Sequence, residues 1–161
     1  MTAPVASPPL LLALYPAADV PRDVAQVSLS RDFCAVIVAG TQPLSCTSLG
    51  RSGLSEHAAW NGAAHNLLAL ASSADGLRFF TRPAAGGLEV AVDGSAASGW
   101  LAHPKTFTVM MRHVAGLLGC PAPLFALRDG GRVVAYTSRA AIGPGGRVLA
   151  WREGFPVVAA T

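Results

Sequence analysis

The sequence predicts an α+β fold, with two main helices packed on a mainly antiparallel sheet of about five to seven strands. Two apolar stretches with helical spacing predict the helices, and short apolar runs separated by glycine- and proline-rich turns predict the strands. Of the 161 residues, 52% are hydrophobic and 13% are charged. A chain of this length and composition can bury a core and is not charged enough to stay disordered.

The chain is expected to divide into an extended N-terminal arm, residues 1–22, and a single α+β domain, residues 23–161. The arm carries no charged side chain up to Ala18 and contains a run of leucines. Its prolines would break a helix, and its longest apolar run is far below the roughly 20 residues that span a bilayer. We therefore expect no membrane segment.

A buried strand and a long helix are expected early in the domain. Phe33–Ala39 is apolar and rich in β-branched residues, which predicts a buried strand, and residues 44–48 are expected to pair with it. Ser55 stands at an N-cap position with Glu56 in the first turn, so a helix is expected from there to Ser72.

A hairpin and a second long helix are expected next. Residues 77–82 and 88–92 are strand-like runs joined by a proline- and glycine-containing turn, and a short helix is expected at 95–102. Pro104 is expected to begin the second long helix and Gly119 to end it. Further antiparallel strands are expected at residues 124–127, 133–137 and 148–151.

The loop before the last of these strands is a candidate anion-binding site. The residues Gly143-Pro144-Gly145-Gly146 supply flexible backbone beside the guanidinium of Arg147, and Arg139 precedes the loop. Such a loop can bind a phosphate or carboxylate through its N–H groups, and it also suits a simple hairpin turn. If the two arginines converge, then Arg139, Gly145, Gly146 and Arg147 would bind a small acidic ligand.

One edge of the first long helix carries His57, Asn61 and His65, which follow each other at intervals of four residues. Adjacent members of this set lie on one helix face. A metal site needs three or four converging ligands, and the other histidines and the cysteines lie on different predicted elements. We interpret the set as a polar helix edge and expect neither a metal nor a cofactor.

Local motifs predict no catalytic residue. The segment 50–53, Gly-Arg-Ser-Gly, is close to a nucleophile elbow but has Leu54 where the second glycine is required. The three cysteines, Cys34, Cys46 and Cys120, are widely spaced and odd in number, which predicts reduced thiols in a cytoplasmic protein. Cys46 lies in a polar stretch and is the thiol to test for reactivity.

The basic residues do not favour nucleic-acid binding. The formal net charge is +3, but the twelve basic residues are scattered singly, whereas binding to a phosphate backbone needs several cations on one face. Eleven of the twelve are arginine, which with abundant alanine, glycine and proline indicates GC-rich bacterial coding. The low overall charge leaves apolar surface that a second copy or a protein partner can cover.

These observations favour a non-catalytic, self-associating protein-interaction or adaptor domain, with a homodimer as the expected state. An alternative is a domain that binds a small anionic ligand or is an enzyme. In that case its pocket would gather Arg139, Arg147 and His57 or His65 from distant parts of the chain, since functional sites are assembled in three dimensions.

Overall fold

The computed structural model describes residues 2–4, 7–142 and 147–159. Its strands are β1 (Leu10–Pro16), β2 (Gln26–Ser28), β3 (Phe33–Ala39), β4 (Gln42–Pro43), β5 (Ser72–Ser73), β6 (Gly76–Leu77), β7 (Phe79–Ala84), β8 (Gly87–Val92), β9 (Leu124–Arg128), β10 (Arg132–Tyr136), β11 (Arg147–Arg152) and β12 (Phe155–Val158). Its α-helices are α1 (Cys46–Arg51), α2 (Glu56–Ala71) and α3 (Pro104–Leu118). Short 3-10 helices lie at Ala17–Asp19, Ala97–Ala102, Asp129–Gly131 and Arg139–Ala141. The predicted α+β class is confirmed.

The strands form separate antiparallel sheets rather than the one sheet that the sequence suggested. The first has the order β1-β3-β2, with β4 also paired to β3, and the second has the order β12-β11-β9-β10-β8-β7. β5 and β6 form a two-stranded pair. The single-sheet expectation fails because β1 and β2 flank β3 on its two sides, and among the described residues neither β1 nor β2 pairs with a strand of the second sheet.

The expected N-terminal arm contains a strand of the core. Leu10–Pro16 pairs with β3 along its whole length, from Leu10 opposite Ala39 to Pro16 opposite Phe33. Leu11–Leu14 is buried. The segment expected to be an extended arm therefore contributes a strand to the core, because this apolar run buries its side chains against β3 and α2.

Helix α2 begins and ends where its sequence signals predicted. The Ser55 hydroxyl accepts a hydrogen bond from the Ala58 N–H at 3.1 Å, which caps the first turn. Its buried side is built largely from small residues, so the helix approaches β1, β2 and β3 closely. Trp60 is the large side chain on that side, and its indole N–H donates to the Ala102 carbonyl at 2.8 Å.

Helix α3 also follows its predicted boundaries. Pro104 occupies the first turn, and Gly119 ends the helix in the left-handed conformation with φ 61°. Phe107 stacks on Trp151 of β11, with ring centroids 3.9 Å apart and planes 10° from parallel. α3 is thus attached to the six-stranded sheet, whereas α2 covers the first sheet.

The short helix Ala97–Ala102 lies between the two sheets and is buried along its whole length. It contacts β1 on one side and β8 and β10 on the other. Gly99 lies against the Leu12 carbonyl, and a β-carbon at this position would overlap with that oxygen. The short helix predicted at residues 95–102 is therefore present, and it packs between the two sheets.

Candidate functional site

The predicted polar edge of α2 takes part in a hydrogen-bonded cluster with His103. His103 caps α3, because its Nδ1 accepts the Lys105 N–H at 3.1 Å. The proton of the neutral ring is therefore on Nε2, which donates to Asn61 Oδ1 at 3.0 Å. The ring also packs on Trp60, with centroids 4.3 Å apart. Asn61 thus helps to hold the start of α3.

His103 is held in its neutral form. Burial lowers its pKa from 6.5 to about 4, and the charges of Lys105 and His57 act in the same direction. His57 is exposed and lies against Trp60, with ring centroids 5.4 Å apart, and His65 is exposed further along α2. The cluster therefore caps α3 through a histidine ring that stays neutral at neutral pH.

The predicted anion site is not assembled around its two arginines. Arg147 begins β11 and pairs with Leu127, whose partner on β10 is Val133, near the start of that strand. Arg139 follows Tyr136, at the other end of β10. The register therefore places the two arginines toward opposite ends of the sheet. The glycines of this prediction, Gly145 and Gly146, lie outside the described residues.

Arg147 instead lines a cleft of about 540 Å³ between β1 and the turn that joins β9 to β10. The charged side chains around this cleft are Asp19, Arg128, Asp129 and Arg147. Arg128 also donates to the Tyr136 hydroxyl at 2.9 Å. Two cationic and two anionic groups line the cleft together with apolar side chains such as Leu14 and Leu127, so its formal charges balance.

The thiol and hydroxyl groups singled out from the sequence are engaged in local contacts. Desolvation and a hydrogen bond to Glu56 raise the pKa of the Cys46 thiol, which disfavours the nucleophilic thiolate. The Cys46 sulfur lies 3.5 Å from Glu56 Oε1. The Ser52 hydroxyl donates to the Leu49 carbonyl at 2.6 Å at the end of α1. Ser52 therefore terminates a helix and does not form a nucleophile elbow.

The edge strands β1 and β12 are capped by side chains from elsewhere in the fold. On β1, the Leu14 N–H donates to Ser98 Oγ at 3.3 Å and the Leu10 carbonyl accepts from Asn66 at 2.9 Å. On β12, the Pro156 carbonyl accepts from Ser30 Oγ at 2.7 Å, and the Val158 N–H donates to Asp32 at 3.0 Å. These contacts occupy backbone groups that would otherwise be open to another strand.

β7 is the opposite edge of the six-stranded sheet, and it is exposed. Among the described residues, no hydrogen bond from another element reaches the outward backbone groups of Phe79–Ala84. Phe80 on this strand is 56% exposed. Pro83 removes one N–H donor from the edge, a common feature of edge strands. An accessible backbone edge and a large aromatic side chain therefore lie on the same strand.

A three-residue ion-pair cluster fixes this edge to the sheet. Glu89 of β8 accepts from Arg82 of β7 at 2.7 Å, and from Arg132 of β10 at 2.8 and 3.1 Å. These arginines lower the pKa of Glu89 to about 2, so its carboxylate is ionised at neutral pH. Arg82 remains largely exposed. It therefore presents a positioned guanidinium beside Phe80.

Exposed apolar side chains surround the start of β7. Leu70, Leu77 and Leu117 are each more than a third exposed. Leu70 belongs to the end of α2, and Arg78, which leads into β7, donates its N–H to the Ala71 carbonyl at 2.7 Å. Phe79 contacts His113 of α3, one turn before Leu117, with ring centroids 4.8 Å apart. These contacts place the three leucines around one end of β7.

The sequence did not single out this strand as a site. Phe80 and Arg82 lie in a run that was predicted to be an ordinary strand, and the neighbouring Pro83 was assigned to a turn. Whether a strand lies at an edge depends on the order of strands in the sheet. That order is set by contacts distant in sequence. Pro83 was the local signal of an edge strand, because proline inside a sheet is found mainly on edge strands.

Comparison of the chain with protein-family models, curated proteins and solved structures finds no match in any of the three. None of the helices among the described residues is both long and apolar enough to cross a membrane. Within the same residues, no group of three or more histidine, cysteine, aspartate or glutamate side chains is arranged to hold a metal ion.

Proposed function

We propose that this chain is a protein-interaction domain that self-associates through the exposed edge strand β7. The observation that carries the proposal is the contrast between β7 and the edge strands β1 and β12: side chains cap β1 and β12, while the six-residue strand β7 is accessible and displays Phe80. A row of unpaired backbone groups is a template for another strand. The apolar side chains around the start of β7 add surface that association would remove from water.

The expected association is weak. Six-residue strands that meet edge to edge bury little surface, so the interface falls in the class below about 1,200 Å² that is typical of transient complexes. The net charge of +3 adds a small repulsion between copies, which salt screens. Self-association should therefore be sought at high protein concentration and moderate ionic strength.

Sedimentation velocity from micromolar to near-millimolar concentration tests the proposal. The native chain is expected to show a concentration-dependent dimer. Phe80→Arg should weaken dimerisation at least tenfold, because it removes an exposed aromatic ring and adds a cation beside Arg82 on the same strand. Leu54→Arg is the matched control, since Leu54 is a large apolar residue of similar exposure, 42%, before α2. A strict monomer over the whole range, or equal behaviour of the two variants, would overturn the proposal.

A second candidate function is the binding of a small ligand in the cleft beside β1. Its lining by Asp19, Asp129, Arg128 and Arg147 favours a ligand that carries both an acidic and a basic group, such as a free amino acid. Thermal-shift measurements with the standard amino acids test it. Stabilisation that Arg147→Ala abolishes would support ligand binding. The absence of a shift with every amino acid at 10 mM, about a thousandfold above a Kd of ~10 μM, would refute it.

We also propose a bacterial cytoplasm as the location of the chain. The described cysteines, Cys34, Cys46 and Cys120, are all free of disulfides, which suits a reducing compartment. The predominance of arginine over lysine among the basic residues supports a GC-rich bacterial source. Fractionation of cells that express the native chain, with antibody detection, tests the location.

A further inference from the structure

The hairpin turn determines which backbone groups of β7 point away from the sheet. Ala84 and Gly87 are paired across a two-residue turn, so Ala84 points its N–H and carbonyl toward β8. The direction of the backbone N–H and carbonyl groups alternates from residue to residue along a strand. The N–H and carbonyl groups of Arg82 and Phe80 therefore also point toward β8. The outward groups belong to Phe79, Thr81 and Pro83. Pro83 fits this outward position because no ladder partner there requires its missing N–H.

The side chains along β7 restrict how a second copy could pair with it. Phe80 and Arg82 share one face of the strand, and Arg78 precedes them at the same spacing. In an antiparallel pair of β7 strands related by a two-fold axis, the register is defined by the residue at which the axis passes between the strands. An axis at Arg82 would place the two Arg82 side chains opposite each other. A centre on Phe80 would place Arg82 opposite Arg78. Both arrangements set like charges directly across the interface, which is destabilising.

A centre on Thr81 avoids both repulsions. It places Phe80 of each copy opposite Arg82 of the other in a non-hydrogen-bonded pair, the type of antiparallel pair in which side chains approach most closely. A guanidinium over an aromatic ring is attractive, and Arg is the cation most often found there. Glu89 holds the Nε of Arg82 at 2.7 Å, so the guanidinium is already positioned before a second copy arrives.

We propose that the partner of β7 is β7 of a second copy, paired antiparallel about a two-fold axis at Thr81, with Phe80 and Arg82 as its specificity-determining residues. This inference rests on the proposed function and specifies its geometry. The two Thr81 residues exchange both backbone hydrogen bonds. Each Phe79 N–H donates to the Pro83 carbonyl of the other copy. Because Pro83 has no N–H, the ladder is short. The two-fold pairing occupies the outward edge of β7 in both copies, so no further β7 strand can be added.

Cysteine cross-linking tests this register. Cys46 and Cys120 are replaced by serine, and Cys34 is kept because it is 1% exposed. Thr81→Cys, Phe80→Cys, Arg82→Cys and the control Ala91→Cys, an exposed position on neighbouring β8, are then oxidised gently at a concentration where the native chain dimerises. In the proposed register, the Thr81 Cα atoms lie about 5.5 Å apart, within disulfide range, whereas two Phe80 or two Arg82 Cα atoms exceed about 7 Å.

The expected result is a disulfide dimer of Thr81→Cys and a mixed disulfide when Phe80→Cys and Arg82→Cys are combined, with no dimer of Ala91→Cys. A dominant disulfide between two Phe80→Cys or two Arg82→Cys chains would overturn the register. If Phe80→Arg weakens the dimer but none of the β7 cysteines cross-links, self-pairing of this strand is wrong while the interaction surface remains. A strict monomer in sedimentation would overturn the proposed function as well.

Discussion

Acidification should weaken the fold through His103, the buried histidine that caps α3. Its pKa is lowered from 6.5 to about 4, so the unfolded chain takes up a proton on this ring before the native state does. The stabilising neutral form is therefore fully present above pH 6.5, and its contribution is lost as pH falls from 6.5 toward 4. The slope in that window is about 1.4 kcal/mol per pH unit, for a total of about 3 kcal/mol.

The variant that isolates this effect is His103→Asn. Asparagine is a good N-cap, so it can accept the Lys105 N–H without titrating. At neutral pH the variant loses the ring contact with Trp60 and the hydrogen bond to Asn61, and it should be less stable than the native chain by about 1–2 kcal/mol. As the pH falls, only the native chain loses the His103 contribution. Because the native loss of about 3 kcal/mol exceeds the initial deficit of the variant, the two stability curves should cross between pH 6.5 and pH 4.

Urea unfolding, followed by circular dichroism at half-unit steps from pH 7.5 to pH 4, measures both curves. The other titrating groups are common to the two proteins, so the difference between the curves reports His103. NMR of the imidazole ring should give a midpoint near pH 4 in the folded chain. Parallel stability curves, or a ring that titrates near pH 6.5 in the folded state, would refute the reasoning.

Three further substitutions test other contacts. Glu89→Gln should lower the thermal midpoint at pH 7 because two arginines lose their carboxylate; the difference from the native chain should shrink as pH falls from 4.5 toward 2. Gly99→Ala should cost about 3 kcal/mol or more in urea unfolding, since its β-carbon would overlap with the Leu12 carbonyl. Trp151→Phe should change stability by less than about 1.5 kcal/mol, because stacking on Phe107 is kept and a buried indole N–H without a partner among the described residues is removed; a larger loss would show that this N–H is bonded.

The sequence predicted the elements whose ends carry local chemical signals. Ser55 caps α2, and Gly119 ends α3, because a hydroxyl acceptor and a residue that tolerates positive φ act within one turn of the chain. Phe33–Ala39 was recognisable as a buried strand from its own side chains. These features depend on neighbours in sequence, so they could be found without the fold.

The features that the sequence did not predict depend on distant contacts. Leu10–Pro16 is a short apolar run beside prolines, and only its pairing with β3 makes it a strand. The separation of Arg139 from Arg147 follows from the register of β9, β10 and β11. The exposure of β7 follows from the strand order. Local spacing contains none of this information, and the candidate site was therefore missed while its strand was found.

The cap on β12 has a consequence for how the chain is made. Ser30 and Asp32 bind Pro156 and Val158, each across 126 positions of sequence. At a synthesis rate of about 5–20 residues per second, the turn at Ser30–Asp32 waits roughly 6 to 25 seconds for these partners to leave the ribosome. Contacts this remote also slow folding after release. The first sheet must therefore remain soluble on the nascent chain well before the second sheet is closed.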